Sequence, residues 1–345
     1  MRFGRKDLDR AVGQGVIEPV QADALWRVLQ EGAAETPRFS LVHIAYYAGA
    51  LLVIGAMGWF MGLAWEGLGG VGIFIISGLY AAGFFGFGWR LWHKPGSKVL
   101  GGLLVTIAVA MTPLATHGLQ RWLGVWAGDD PGSYKEFHIW IRSGWFTMEV
   151  ATLIAGLLAL KFVRFPFLTI TVAFTLWYMS MDLTSLIAGG PDFDWGLRRA
   201  VSMWFGLAMI LVAYLVDRRT DEDFAFWGYL FGLIAFWGGL TAMHSDSEVA
   251  KLIYFLINIA LIGAAVFLHR RAFAVFGAMG VFLYVGHLAW DVFEDSHLFP
   301  FALTGVGIAV IYMGVVVNKH GSAWQRAAVE AMPPWLRRLR PEERG

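Results

Sequence analysis

The chain has 345 residues, of which 57% are apolar and only 15% are charged, with a formal net charge of +1. A soluble domain does not need so large an apolar fraction, so the composition is typical of a membrane protein. The sequence contains no cysteine, which excludes disulfides, thiolate metal sites and cysteine nucleophiles.

The N-terminal segment, residues 1–38, is predicted to form a cytoplasmic pair of short helices. Leu8 and Val12 lie on one apolar face, Gly-Gln-Gly at 13–15 breaks the helix, and Pro19 begins the second helix. A pair this small buries too little area for a catalytic core. We expect it to pack weakly against the membrane domain; docking of another protein is the alternative. The segment is charged and lacks an apolar stretch followed by a small-residue cleavage site, so we expect no removable signal peptide.

The N-terminal run also resembles a known family. Residues 7–25, DLDRAVGQGVIEPVQADAL, are followed closely by apolar spans. This arrangement resembles the bacterial predicted-membrane-protein family named domain of unknown function 2157, whose members similarly begin with a short helix, a glycine turn and a Gln-Ala helix. The resemblance covers residues 5–150. It implies a location in the cell envelope and no mechanism, because the family has no established activity or site residues.

Ten apolar segments of roughly 20 residues follow, each long enough to cross about 30 Å of hydrocarbon. They predict an all-α, polytopic transmembrane bundle over residues 39–318. Connections as short as 161–164 and 269–271 make neighbouring spans antiparallel hairpins. The predicted spans are Leu41–Ala64, Val71–Leu91, Val99–Thr116, Trp145–Phe162, Phe167–Ile187, Ala200–Val216, Phe224–Met243, Val249–Leu268, Ala272–Trp290 and Phe299–Val317.

Basic residues divide unevenly between the two sides of this bundle. With the N-terminus in the cytoplasm, 21 of the 27 Lys and Arg residues lie in inner segments and 6 in outer ones. This division follows the positive-inside rule and predicts a bacterial inner-membrane protein with both termini in the cytoplasm.

The C-terminal tail, residues 319–345, combines aromatic residues with a basic cluster at Arg337, Arg338 and Arg340. Such a composition beside a span favours contact with anionic lipid of the inner leaflet, with a solvated stop-transfer tail as the alternative. Nucleic acid is not an expected partner, because the chain has no recognition fold and few cations.

Two patterns inside the spans concern packing and duplication. Small residues, among them Gly58 and Gly62 at the GxxxG spacing and Gly83, Gly86 and Gly88, predict close helix packing; a glycine-lined pore is the alternative. The sequences VTIAVAMT at 105–112 and LTITVAFT at 168–175 agree at five of eight positions. This agreement indicates hairpin repeats, although chance gives such matches among so few apolar residue types.

Ionisable residues near the outer ends of the spans form the candidate site. Asp182 is the strongest candidate, because it lies about 22 Å into the fifth span. If that span ends near Met179, Asp182 instead lies in interfacial water. We expect a set of five residues to converge on one outward-facing cavity, with Glu149 able to join them. The five are His117, Asp182, His244, His287 and Asp291.

Histidines and carboxylates at one depth can bind a metal ion, relay protons, or bind a cationic or polar solute. The sequence lacks HExxH, Walker A, dinucleotide-binding and GxSxG motifs, and no two histidines suit a mid-membrane haem. We therefore expect no cofactor and favour a non-enzymatic role.

Two functional hypotheses remain. One is a transport-like protein that binds a proton, a cation or a polar solute. The other is a non-catalytic scaffold whose cytoplasmic ends recruit partners; an enzyme acting on lipid-linked substrates is third. The inner halves of the spans are almost wholly apolar, which argues against a simple channel.

Overall fold

The computed structural model describes residues 8, 11–26, 41–126, 143–188, 195–243 and 247–293, together with nine single residues between 301 and 341. This described part of the chain is helical and contains no strand. The predicted all-α class is therefore confirmed. The chain divides into two compact units at Asp182, and each unit is described by itself.

The N-terminal segment contains the predicted helix, turn and helix. Residues 11–13 and 19–26 are helical. Gly15 has a φ of 70°, a left-handed conformation that glycine adopts without steric cost, and its N–H donates to the Val12 carbonyl. The Gln21 side chain accepts from the Glu18 N–H at 2.9 Å and caps the second helix. The domain boundaries proposed for this segment remain predictions.

Beyond the N-terminal segment, the described part of the first unit contains six α-helices. Its central rod consists of α3 and α4, which are joined at Met111, with Pro113 in the first turn of α4. The third predicted span ended at Thr116, whereas the helix continues to Trp122. The helices are α1 (Leu41–Gly67), α2 (Gly69–Trp92), α3 (Lys98–Ala110), α4 (Thr112–Trp122), α5 (Ser143–Phe162) and α6 (Thr169–Ala188), with a 3₁₀ turn at Pro166–Leu168 before α6.

The central rod is the most buried candidate span. The most apolar 18-residue stretch of Lys98–Trp122 is 61% buried, whereas the corresponding stretch of Gly69–Trp92 is only 11% buried. Helix α2 packs along the whole rod, and α4 and α3 both contact α5. Leu103 and Val105 of the rod form a core with Val163 and Leu168 from the connection between α5 and α6.

Glycines allow the close approach of α2 and the rod. A Cβ atom added to Gly101 would strike the backbone of Trp92, and one added to Gly118 would strike the backbone of Phe74. The predicted close packing is confirmed at Gly88, which lies against Gly101 and Val105. At the other predicted positions that are described, Gly58, Gly83 and Gly86, an added Cβ would meet no packed neighbour within 4 Å.

The second unit contains two tight hairpins. Its helices are α7 (Trp195–Asp217), α8 (Phe226–Ala242), α9 (Glu248–Leu268) and α10 (Arg271–Phe293). In the first hairpin, Gly206 lies against the backbone of Phe236, and the Ser202 hydroxyl donates to the Ala235 carbonyl at 3.0 Å. The second hairpin turns at His269, which has a left-handed φ of 55°.

Six helices in the described residues are long and apolar enough to cross a membrane, and two shorter apolar helices accompany them. Large apolar side chains on these helices point outward; Leu52 and Trp59 are each 74% exposed. Lipid is the natural environment for such surfaces. Nine of the ten predicted spans coincide with a described helix. Most residues of the tenth fall outside the described residues, so the count of ten stays a prediction.

Candidate functional site

Two acidic side chains face each other across the hairpin formed by α5 and α6. Glu149 lies thirteen positions before the end of α5 at Phe162, and Asp182 lies thirteen positions after the start of α6 at Thr169. At 1.5 Å per residue, both side chains lie about 20 Å from the turn that joins the helices. The equal spacing brings them to one level of the hairpin.

The two helices contact each other at two levels. A Cβ atom added to Gly156 would contact Val172, and the rings of Trp145 and Tyr178 lie 5.8 Å apart. Glu149 is only 5% exposed and Asp182 only 2% exposed.

No N–H or O–H group of the described residues donates a hydrogen bond to either carboxylate oxygen of Glu149. The group within hydrogen-bonding range is the Asp182 carboxyl, whose charge also acts on Glu149. Two ionised carboxylates can only accept hydrogen bonds. They repel each other strongly where water is excluded, and a proton or a positive charge beside them relieves that repulsion.

The hydroxyl groups nearby on α5 and α6 are already engaged in their own helices. Thr152 donates to the Met148 carbonyl at 2.7 Å, Thr175 to Thr171 at 2.7 Å, and Ser180 to Trp177 at 2.6 Å. Such back-bonding is the usual way for a hydroxyl to be satisfied within a buried helix. These groups therefore do not supply donors to the acidic pair.

His117 lies in the same unit, on α4, which packs against α5. Its ring is fully buried and lies edge-on to Trp126, with 4.5 Å between the ring centroids. Gln120, one turn further along α4, is also buried. Among the residues that the structure describes, no three His, Asp or Glu side chains are grouped so that they could hold a metal ion.

The other predicted site residues belong to the second unit. His287 on α10 is half-buried and lies close enough to Glu248 for their charges to interact. His244 falls outside the described residues, as does the side chain of Asp291. The convergence of all five predicted residues on one cavity therefore stays a prediction, and the pair that the structure brings together is Asp182 with Glu149.

A buried ion-pair cluster in the second unit was missed by sequence reasoning. Arg270, in the turn between α9 and α10, donates to Asp217 from Nη2 at 2.7 Å and from Nε at 3.3 Å. Its Nη1 donates to Asp223 at 2.7 Å, and its guanidinium lies 5.4 Å from the centre of the Tyr229 ring. The available signal was an acidic residue, Asp217, directly at the end of a span.

The cluster keeps Arg270 charged. Burial lowers the pKa of Arg270, but the hydrogen bonds and charges of Asp223 and Asp217 outweigh that effect, so the net shift is upward. Two aspartates thus share one cation that ties the end of α7 to the turn between α9 and α10.

Asn258 is a second missed residue, at the midpoint of α9. It is fully buried; its Oδ1 accepts from the Trp237 indole at 3.0 Å, and its Nδ2 donates to the Tyr254 carbonyl at 2.8 Å. Gly280 of α10 leaves room for the amide. Hydrogen bonds between polar side chains of neighbouring helices stabilise helix packing in the bilayer. The signal was a lone asparagine in an apolar run.

These features define the class of the protein: it is a membrane protein with multiple candidate helical spans. Residues 9–116 match the model of the family described as Predicted membrane protein (DUF2157). This match confirms the family resemblance of the N-terminal sequence and ends before Glu149 and Asp182. No curated protein and no solved structure matches the chain.

Proposed function

We propose that this protein is an integral inner-membrane protein with a transport-like activity, in which the first unit binds and carries a proton or a small cation at Glu149 and Asp182. The buried pair of carboxyl groups is the observation that supports this proposal. Two carboxyl groups lie side by side, almost fully buried, and Glu149 receives no hydrogen bond from a described donor.

The energetic cost of the pair favours a functional role over a structural one. Two unit charges of like sign about 4 Å apart repel by about 4 kcal/mol at an effective dielectric constant near 20. Apolar residues of similar size would pack the same helices without that cost. Ionisable groups kept within membrane spans despite the cost commonly lie on ion or proton pathways.

The predicted topology places the pair in the outer half of the bilayer. The turn at 163–168 is an inner connection in that topology, and the pair lies about 20 Å from it in a hydrocarbon core of about 30 Å. The proposed site therefore opens more easily to the exterior. The same topology puts both termini in the cytoplasm, where Arg337, Arg338 and Arg340 are proposed to contact anionic lipid.

A non-catalytic scaffold is the second candidate function. The N-terminal segment exposes apolar side chains that a solvated helical pair does not need: Val16 is 71% exposed, Val20 75% and Leu25 45%. Exposed apolar residues on so small a segment favour contact with another protein or with lipid headgroups.

Proteoliposomes test the transport-like role. The purified protein would be reconstituted with a pH-sensitive dye inside, a membrane potential would be imposed with K⁺ and valinomycin, and ²²Na⁺ entry would be followed in parallel. Wild-type protein should carry protons or Na⁺, and Asp182→Asn and Glu149→Gln should lose most of that flux. Asp221→Asn is the matched control, because Asp221 is an exposed carboxylate in the loop between α7 and α8.

Equal flux in all four proteins, or no flux above protein-free vesicles in the wild type, would overturn the proposal. Flux retained in the control and lost in both variants of the pair would support it.

A further inference from the structure

The chemistry of the acidic pair distinguishes between a proton and a metal cation. A carboxylate accepts hydrogen bonds, whereas a protonated carboxyl group also donates one. Glu149 and Asp182 lie within hydrogen-bonding range of each other, and no described N–H or O–H donor reaches the oxygens of Glu149. A hydrogen bond between the two groups therefore requires that one of them is protonated.

A metal cation would need more oxygen ligands than the pair offers. Mg²⁺ takes six ligands and Ca²⁺ six to eight. The two carboxyl groups supply four oxygens, and the hydroxyls of Thr152, Thr175 and Ser180 donate to their own helices. Within the described part of the chain no third acidic or histidine side chain completes a metal site.

From these contacts we infer that the ligand of the Glu149 and Asp182 site is a single proton, held in a hydrogen bond between one oxygen of each carboxyl group. The inference rests on the proposed function and names its substrate. Loading adds one proton to the pair and lowers its charge from two negative charges to one; release returns the proton to water. No bond other than O–H forms or breaks, and no electron is transferred.

The burial of both groups explains why the proton is retained. Glu149 is 5% exposed and Asp182 2% exposed, so water cannot solvate two separate negative charges at this position. A hydrogen bond between a carboxylic acid and a carboxylate is short and strong, because one partner is charged. The pair thus stabilises a bound proton by geometry and by exclusion of water.

Infrared difference spectroscopy of the full chain in lipid nanodiscs tests the inference. Wild-type protein at neutral pH should show the C=O stretch of one protonated carboxyl group, shifted in D₂O and lost at high pH. Glu149→Gln and Asp182→Asn should each lose this band, and Asp221→Asn should keep it. Replacement of choline by Na⁺, K⁺ or Mg²⁺ at fixed pH should leave the band unchanged.

The outcomes separate this inference from the proposed function. Loss of the band on addition of one of the cations, or carboxylate bands of the pair that respond to a cation at fixed pH, would identify a cation site; the inference would fail and the proposed function would stand. No band and no response to any cation would overturn both. A band that persists in both variants of the pair would belong to another carboxyl group and would overturn the inference.

A thermal unfolding series covers the case in which Asp182→Asn does not fold. A proton held in the folded state and released on unfolding makes the wild-type Tm fall as pH rises. In Glu149→Gln, an amide N–H that does not titrate can donate to Asp182 in place of the shared proton. The part of the Tm decrease with rising pH that comes from the pair should therefore disappear. An unchanged decline in Glu149→Gln would contradict the inference.

Discussion

Arg270 offers the sharpest test of the packing in the second unit. Arg270 forms ion pairs with two aspartates that differ greatly in exposure: the Asp217 side chain is 2% exposed and that of Asp223 is 44% exposed. Arg270→Gln leaves Asp217 buried without its cation, which costs about 3 to 5 kcal/mol in comparable buried pairs. The variant should therefore lose most of the stability of a marginally stable unit.

The two aspartates should respond unequally. Asp217→Asn removes the negative charge and one of the two oxygens that accept from Arg270, and we expect a loss of about 1.5 to 3 kcal/mol. Asp223→Asn removes a partly exposed ion pair and should cost about 1 kcal/mol or less. Arg270 keeps the other aspartate in either variant, so both losses should be smaller than that of Arg270→Gln.

Unfolding of the purified variants in a mild detergent, followed by intrinsic tryptophan fluorescence, measures the order of these effects. The expected ranking places Arg270→Gln first, Asp217→Asn second and Asp223→Asn last. Equal losses for the two aspartate variants, or a loss below about 1 kcal/mol for Arg270→Gln, would refute the assigned burial of the cluster.

Three further predictions concern packing, topology and the N-terminal segment. Gly206→Ala should cost about 1 to 3 kcal/mol, because the added methyl group meets the backbone of Phe236, whereas Gly83→Ala, which meets nothing within 4 Å, should be neutral or slightly stabilising in the same unfolding assay. Reporter fusions should report cytoplasm at residues 36, 95 and 341 and the exterior at residue 131; a periplasmic signal at 341 would contradict the ten-span topology. Deletion of 1–36 should leave an inserted, detergent-stable protein by membrane fractionation and gel filtration, and failure to insert would make the segment integral to the fold.

The spans could be predicted well from sequence because one physical quantity, apolar length, decides them. The boundary at Thr116 was less accurate because α4 continues as a helix after its apolar stretch ends, and Pro113 begins that helix instead of breaking it. It was harder to predict from sequence which glycines pack against a neighbouring helix. Gly88 and Gly83 look alike in sequence, and the difference between them depends on which face of α2 meets α3.

Within the candidate site, Asp182 could be recognised because an ionisable residue in a span is costly wherever it lies. Its partner Glu149 was named as able to join the site, and counting residues outward from the turn at 163–168 brings Glu149 to the same level as Asp182. The cluster around Arg270 could not be found this way, because Asp217 lies 53 residues away along the chain. That contact depends on how two hairpins pack, which no local pattern encodes.

Cysteine bridging tests the contact between the two acidic side chains most directly. The chain has no cysteine, so Glu149→Cys with Asp182→Cys creates the only two thiols. Cysteine is shorter than the glutamate it replaces, so a short bis-methanethiosulfonate cross-linker, which spans the gap between the carboxyl positions, is used instead of a direct disulfide. Ile154→Cys with Asp182→Cys is the matched control, because Ile154 is 54% exposed on α5. After treatment with this reagent, intact mass should show one cross-linker bound at both ends in the first pair and two separate adducts in the control. Two separate adducts in the first pair, as in the control, would show that the two side chains do not meet.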